Sequence, residues 1–283
     1  MTIRQAMFSA RHALQEAGVP DPAQDAELLV SHITGMPRLE ARLNGNRPLT
    51  PQQEQRLSSL LLSRTRREPL QYLLGEQCFF GLDLAVDPRV LIPRQETETL
   101  CELGLSHLLA LPCPSALDLC TGSGAIAVTL KHACPSASVT GTDLSEDALR
   151  VAGSNAERNR VSVRFLPGDL FLPVENERFD LILSNPPYIP SGECGALQPE
   201  VLYEPRMALD GGPDGLSFYR RIVAEAPAHL TASGMLAMET GDGQARTVAE
   251  LLCQSGRYRE IRIHRDLYGH ERVVSALAAA GPT

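Results

Sequence analysis

Two stretches of this chain carry side chains that could do chemistry. The first is Asn185-Pro186-Pro187-Tyr188, directly after the apolar run FDLILSN. The nitrogen of a flat NH2 group bonded to a carbonyl or ring is a poor nucleophile, because its lone pair is delocalised. If the Asn185 side-chain oxygen and the Pro186 carbonyl both accept its N–H bonds, positive charge developing on that nitrogen is stabilised in place. Tyr188 can stack on the flat group and fix its orientation. The prolines stiffen the loop, and Pro186 has no N–H to offer in competition.

The second stretch is Asp118-Leu-Cys120-Thr121-Gly122-Ser123-Gly124-Ala-Ile-Ala127, where an apolar run passes into helical periodicity. Glycines at such a turn let backbone N–H groups approach a ligand closely. Further acids follow the next two apolar runs, Asp143 and then Asp169, which is followed by Leu170. Acids at three successive strand ends are expected to face one crevice, with Asp143 on ribose hydroxyls, Asp169 on an adenine amine and the glycine loop on the rest. Read alone, G-x-G-x-x-A also fits a dinucleotide site, so an NAD-dependent oxidoreductase stays open; that reading leaves Asn185 to Tyr188 without a task.

The elements that must position these groups are legible from periodicity. Short apolar runs at Ala116 to Leu119, Ser138 to Thr142, Val163 to Leu166, Leu181 to Ser184, Gly234 to Glu239, Tyr258 to His264 and Arg272 to Leu277 predict seven strands. Helices are predicted from Gly124, after Ser145 and near Leu100 to Leu109. Alternation of this kind predicts an α/β fold with a mostly parallel sheet covered by helices on both faces. Before it, Gln77 to Val86 alternates around Gly81 as a hairpin. Earlier still, Ile3, Met7, Ala10 and Leu14, then Ala26, Leu29 and Ile33, then Leu57, Leu60 and Leu61, form helical stripes. Asp21-Pro22 and Thr50-Pro51 with Gln53 supply their starts. The expected organisation is a helical recognition domain over residues 1–75, a hairpin linker over 76–90 and a catalytic domain over 91–283.

Composition narrows the partners. With 34 acids against 26 bases the 283-residue chain carries a net charge of −8. Residues 1–75 hold nine arginines and seven acids, +2, which leaves −10 for the remainder. An acidic body without a basic run is a poor surface for nucleic acid, so no direct nucleic-acid partner is expected. The apolar runs fall short of the ~20 residues a membrane helix needs, and the N-terminus lacks the pattern of a secretory signal, so a cytoplasmic chain is expected. Seven scattered cysteines without a C-x-x-C pair read as free thiols, and no metal site is expected.

Taken in order, LIPRQETE (Leu91 to Glu98), DLCTGSGAIA, SNPPYIP and YEPRMALDGGPDGLSFYRRI (Tyr203 to Ile222) resemble the HemK/PrmC family, the release factor glutamine methyltransferases, over nearly the whole chain. The resemblance implies a class I S-adenosylmethionine-dependent methyltransferase fold with a seven-stranded, Rossmann-like sheet. It also implies transfer of a methyl group to the side-chain N5 of the glutamine in the Gly-Gly-Gln motif of class-1 peptide chain release factors, with S-adenosylhomocysteine as product. Residue by residue it implies cofactor contacts at Cys120, Thr121, Gly122, Ser123, Gly124, Asp143, Asp169, Leu170 and Asn185. Substrate contacts are implied at Asn185, Pro186, Pro187 and Tyr188, of which Asn185, Pro186 and Tyr188 carry the chemistry; a monomer is favoured. Gln95 stands where the family usually has proline, Cys120 often aligns with glycine, and Leu170 replaces a frequent aromatic. Methylation of a ribosomal-protein glutamine, or of adenine N6 in DNA, are the alternatives; a non-enzymatic binding module is a third, disfavoured by the combined site.

Overall fold

The computed structural model describes residues 1–279, which form two compact units, Met1–Gly75 with Gln198–Tyr203, and Glu76–Leu197 with Glu204 onward. In the first unit five helices, α1 (Ile3–Glu16), α2 (Pro22–Thr34), α3 (Arg38–Leu43), α4 (Pro51–Thr65) and α5 (Leu70–Leu74), enclose a core of their own. The stripe expected on α1 is buried at Ile3, Ala10 and Leu14, with Met7 packed at its edge. Thr2 with Gln5, and Thr50 with Gln53, form capping boxes at the starts of α1 and α4. Asp21, expected to cap α2, makes no side-chain cap; Pro22 at the first turn and the Asp21 carbonyl, which accepts from Asp25 N at 3.0 Å, begin that helix instead.

Residues 198–203, assigned by sequence to the catalytic domain, pack with these helices. The reason is charge. Arg64, 5% exposed, donates from Nε to Asp25 at 2.7 Å and from Nη1 to Glu200 at 2.9 Å. Arg67 grips the same Glu200 with two bonds, at 2.6 and 2.7 Å, and the Tyr203 hydroxyl donates to the Arg66 carbonyl at 3.0 Å. Burial lifts the Asp25 carboxyl above its ordinary range, whereas at Glu200 the two arginines outweigh burial and hold it below.

The second unit begins with the hairpin β1 (Glu76–Phe79) and β2 (Leu82–Ala85), turned at Phe80-Gly81, both with positive φ. Next come a 3-10 turn (Gln95–Thr97), α6 (Glu98–Leu108), β3 (Ser115–Leu119), α7 (Ala125–Ala133), β4 (Ser138–Asp143), α8 (Glu146–Arg158), β5 (Arg164–Pro167) and β6 (Phe179–Ser184). The chain continues through α9 (Ser217–His229), β7 (Leu230–Glu239), α10 (Ala245–Ser255), β8 (Tyr258–Arg265) and β9 (Glu271–Ala278). The seven strands of the main sheet lie in the order β5-β4-β3-β6-β7-β9-β8, with the first five parallel and β9 antiparallel to both neighbours. One apolar cluster fills the face under α6 and α7; another fills the face under α9 and α10. From β3 the chain moves outward through β4 and β5, then returns to the other side of β3 with β6 and β7. That reversal opens a crevice beyond the carboxyl ends of β3 and β6, where both chemically loaded loops emerge.

All seven cysteines are free thiols. Among the described residues no helix is long and apolar enough to cross a membrane. Because the buried Arg64 is the shared partner of the buried Asp25 and the half-buried Glu200, Arg64→Ala should cost about 3 to 5 kcal/mol, read as a lowered urea midpoint. A loss under about 1 kcal/mol, the worth of an exposed pair, would show that water reaches this cluster.

Candidate active site

The glycine loop leaves β3 through Cys120, whose φ of +59° is left-handed, a conformation the glycine frequent here in the family adopts without strain. Two bonds tie the loop to β4. Thr121 N donates to the Thr142 carbonyl at 3.0 Å, and Gly122 N to Asp143 Oδ2 at 2.8 Å. Asp143 Oδ1 in turn accepts from Ser145 N at 2.9 Å. Gly124 precedes α7 with φ +79°, and a Cβ there would fall 3.0 Å from the Ala152 Cβ of α8, so the loop closes down on α8 only with glycine. Asn155 of α8, fully buried, bonds both the N–H and the carbonyl of Ala85 in the hairpin and the Ser123 carbonyl at 2.9 Å, joining hairpin, helix and loop.

Asp118 does not face the crevice as expected. It is wholly buried beneath the loop, where Oδ2 accepts from the Thr121 hydroxyl at 2.6 Å and from Ala127 N at 3.2 Å, and Oδ1 has no partner. It braces the loop from below and engages an otherwise orphaned N–H in the first turn of α7. Burial, with the charge of Asp143 nearby, pushes its carboxyl up to about 7. Asp143 is also raised by burial, against the pull of its backbone N–H donors, and the Cys120 thiol is raised by burial beside both acids.

Above the loop lies a cavity of about 270 Å³. Of the residues singled out by sequence, Cys120, Gly122, Asp143, Asp169, Leu170, Asn185 and Pro187 line it, and Thr121, Ser123, Gly124, Pro186 and Tyr188 are not among its lining residues. Asp169 reaches the cavity while accepting from Arg221 Nη2 at 2.9 Å. Leu170, with φ +48°, gives its carbonyl to the Thr142 hydroxyl at 3.1 Å. The remaining wall includes Phe218 and the run Pro205, Met207, Ala208 and Asp210.

The Asn185 loop is held from behind. Ser184 donates its hydroxyl to the Leu119 carbonyl at 2.9 Å, closing the tips of β6 and β3 together. Asn185 Nδ2 donates to Thr97 Oγ1 at 3.2 Å, and the buried Glu239 has both the Thr97 hydroxyl and the Asn185 amide as hydrogen-bonding neighbours. The amide nitrogen is thereby occupied and the oxygen is left to accept. The Tyr188 ring packs against the cluster under α9, and its carbonyl accepts from Gln244 Nε2 at 2.9 Å.

The run after Tyr203 is scaffolding for this loop. Ile189 N donates to the Leu209 carbonyl at 2.9 Å and Gly211 N to the Ile189 carbonyl at 2.8 Å. A Cβ on Gly211 would fall 2.7 Å from Tyr188 Cα, so the two backbones lie directly on one another. Glu204, 5% exposed, accepts from Ile92 N at 3.1 Å and from Arg94 Nη2, binding LIPR to YEPR. Sequence reasoning assigned no role to Thr97, Glu204 or Glu239. Thr97 and Glu204 stood inside stretches noted only as family-like, and Glu239 ends a predicted strand, the same signal that marked Asp118 and Asp143.

Comparison with known proteins decides the family. Residues 5–75 match the model of the PrmC N-terminal domain and residues 97–212 that of the methyltransferase small domain. The chain is 44% identical to the release factor glutamine methyltransferase of Geobacter sulfurreducens, covering 96% of this chain and 95% of that one. With its namesake in Gloeobacter violaceus the identity is 46%, covering 95% of each. The chain belongs to the release factor glutamine methyltransferase family. Its fold is that of class I methyltransferases: a methyltransferase from Pyrococcus furiosus superposes with a TM-score of 0.54 at 20% identity, covering 81% of this chain and all of that one. The methyl donor of this methyltransferase is S-adenosylmethionine. The cavity fits that group, since its lining combines two carboxylates, Asp143 and Asp169, with the apolar Leu170, a donor set suited to a ligand that brings hydroxyls, an amine and a purine.

Buried titration gives the site of this methyltransferase a testable pH signature. A carboxyl raised in the folded state from 3.8 to about 7 stabilises the fold through its protonated form. That contribution is complete below pH 3.8 and is lost as pH rises through about 7. Urea midpoints measured from pH 4 to 8 should therefore fall less steeply in Asp118→Asn than in the wild type, by up to one proton's worth of slope. Glu239, raised from 4.5 to about 7, keeps a residual slope of the same sign. Identical slopes in the two proteins would show that Asp118 is ionised throughout.

Proposed function

We propose that this enzyme methylates the side-chain amide nitrogen of the glutamine in the Gly-Gly-Gln motif of class-1 peptide chain release factors, acting in translation termination. The observation that carries the reading is Asn185, whose amide nitrogen is spent on Thr97 beside Glu239, leaving an acceptor oxygen at the cavity. A glutamine amide offers two N–H groups in one plane, and the Asn185 oxygen and the Pro186 carbonyl accept them. Both acceptors favour positive charge on nitrogen, so they act more strongly as the methyl group arrives than before it.

Asp143 holds the ribose hydroxyls of S-adenosylmethionine and Asp169 its adenine amine, while the backbone from Cys120 to Gly124 follows the rest. The bound group supplies a methyl on a positive sulfur, a strong electrophile, so the protein's tasks are positioning and charge stabilisation. Tyr188 supports the loop and limits the space in which a flat amide can lie. The product nitrogen gives up its proton to water. Every residue invoked belongs to one chain, so a monomer suffices, and a substrate that works at the ribosome puts the reaction in the cytoplasm.

The deficit of positive charge over residues 76–283 speaks against DNA adenine, which has to be flipped from its duplex while its phosphates are gripped. Purified release factor, ribosomal protein and DNA, each incubated with labelled S-adenosylmethionine, should show label on the release factor, with one added methyl on glutamine by mass spectrometry. Label on the ribosomal protein or on adenine instead would overturn the substrate.

Two substitutions test the residues. Asn185→Ala should slow single-turnover transfer by roughly 100- to 1,000-fold, the scale of one preorganised polar partner; a near-wild-type rate would remove the central claim. Asp143→Ala should weaken S-adenosylhomocysteine binding by about 1.5 to 3 kcal/mol in calorimetry, and unchanged affinity would move the ribose elsewhere.

A further inference from the structure

An asparagine amide is two-faced: turned by 180° about its last bond it presents a donor where it presented an acceptor. Catalysis by Asn185 as proposed above requires one of these orientations, and the loop backbone does not choose between them. We propose that Glu239 is a positioning residue that fixes the direction of the Asn185 amide, acting both directly and through Thr97. This inference rests on the proposed role of Asn185.

The geometry follows from the sheet. Ser184 on β6 is paired with Met238 on β7, so the next residues along these parallel strands, Asn185 and Glu239, sit side by side at the strand tips. Glu239 is 1% exposed. An ionised carboxylate only accepts, and its hydrogen-bonding neighbours are the Thr97 hydroxyl and the Asn185 amide. Thr97 Oγ1 already accepts from Asn185 Nδ2, so its single proton is free for the carboxylate. Donation thus runs one way, from Asn185 to Thr97 to Glu239. Turning the Asn185 amide over would set its oxygen against the carboxylate and call on the Thr97 proton a second time.

No arginine pairs with Glu239: Arg272, whose charge pulls the carboxyl down from a distance, spends Nε on Asp266 at 3.3 Å and Nη1 on the Thr240 carbonyl at 3.2 Å, and Glu239 Oε2 has no hydrogen bond. A buried carboxylate held this way destabilises the fold compared with an apolar residue of like volume, which is the mark of a group kept for what it orients.

Protonation is the natural probe. The charged and titratable groups facing Glu239 are Arg272 from β9, Glu96 from the 3-10 turn, Cys101 from α6, Tyr188 from its own loop and Tyr219 from α9, whose hydroxyl donates to the Glu239 carbonyl at 2.9 Å. Burial dominates among these influences and pushes the carboxyl up to about 7. Once protonated, Glu239 can donate to Thr97, and the amide direction is no longer imposed.

The test is single-turnover methyl transfer to release factor from pH 5.5 to 9, with S-adenosylhomocysteine affinity measured in parallel. In the wild type the rate should rise with pH and level off above about 7, while affinity stays within about twofold. Glu239→Gln, which can donate as well as accept, should lose roughly 10- to 100-fold in rate, the usual cost of removing an orienting partner. It should also lose the acid limb while binding S-adenosylhomocysteine normally. Glu239→Asp should recover part of the rate and the limb. Thr97→Val should show the same defect and Thr97→Ser should not, which keeps the proposal testable if Glu239→Gln folds poorly. A wild-type rate with an unchanged acid limb in Glu239→Gln, or in a folded Thr97→Val, overturns the relay. Failure of the wild type to modify release factor counts against the substrate alone, and the same comparison on whichever NH2 group it does modify decides the relay.

Discussion

Three loops meet at one aspartate. Asp143 accepts the Gly122 N–H from the tip of β3 on one oxygen, the Ser145 N–H of its own turn on the other, and the Gly168 N–H from the tip of β5 on its main-chain carbonyl at 2.9 Å. The two bonds to the carboxylate are charge-assisted and offset part of the desolvation that raises it. The cavity beside it exists because the loops have a common anchor. Remove the carboxylate and the glycine turn and the start of α8 each lose their reference to the sheet.

The opposite side of the site is assembled on a different principle. There, backbone lies on backbone, at Gly211 against Tyr188, and a buried carboxylate, Glu204, collects a main-chain N–H and an arginine from the segment before α6. In the proposed reading the first side receives a ligand that brings hydroxyls and a purine, and the second presents carbonyls and an asparagine oxygen as acceptors for N–H. A transfer enzyme needs both kinds of wall, and the switch point between β3 and β6 is where a parallel sheet supplies them.

How much of this was legible depends on range. The glycine turn, the Asn185 loop and the seven strands follow from local spacing, because a strand that runs into glycines or prolines announces its own end. Asp118 was misplaced because an acid before a glycine turn can face the ligand or support the loop from beneath, and the spacing is the same for both. Glu200 and Glu239 were missed for another reason. Their partners lie 133 and 142 residues away, at Arg67 and Thr97, and no periodicity joins residues so far apart along the chain. Sequence reasoning sees the groups that touch ligands better than the groups that hold them.

The neutral amide at position 185 follows from what stands behind it. Glu239 is already a buried carboxylate without a hydrogen bond at one oxygen, with Glu96 raising its local field further. An aspartate at 185 would bring a second carboxylate within reach of the first, and two such groups in one dry site cannot both stay ionised. One would take up a proton and become a donor toward the substrate, the reverse of what an N–H-bearing acceptor pocket requires. An asparagine avoids the conflict by offering its N–H groups backward and its oxygen forward. On the proposed roles of Glu239 and Asn185, the charge of one and the neutrality of the other are one arrangement, in which the acid sets a direction and the amide carries it to the substrate.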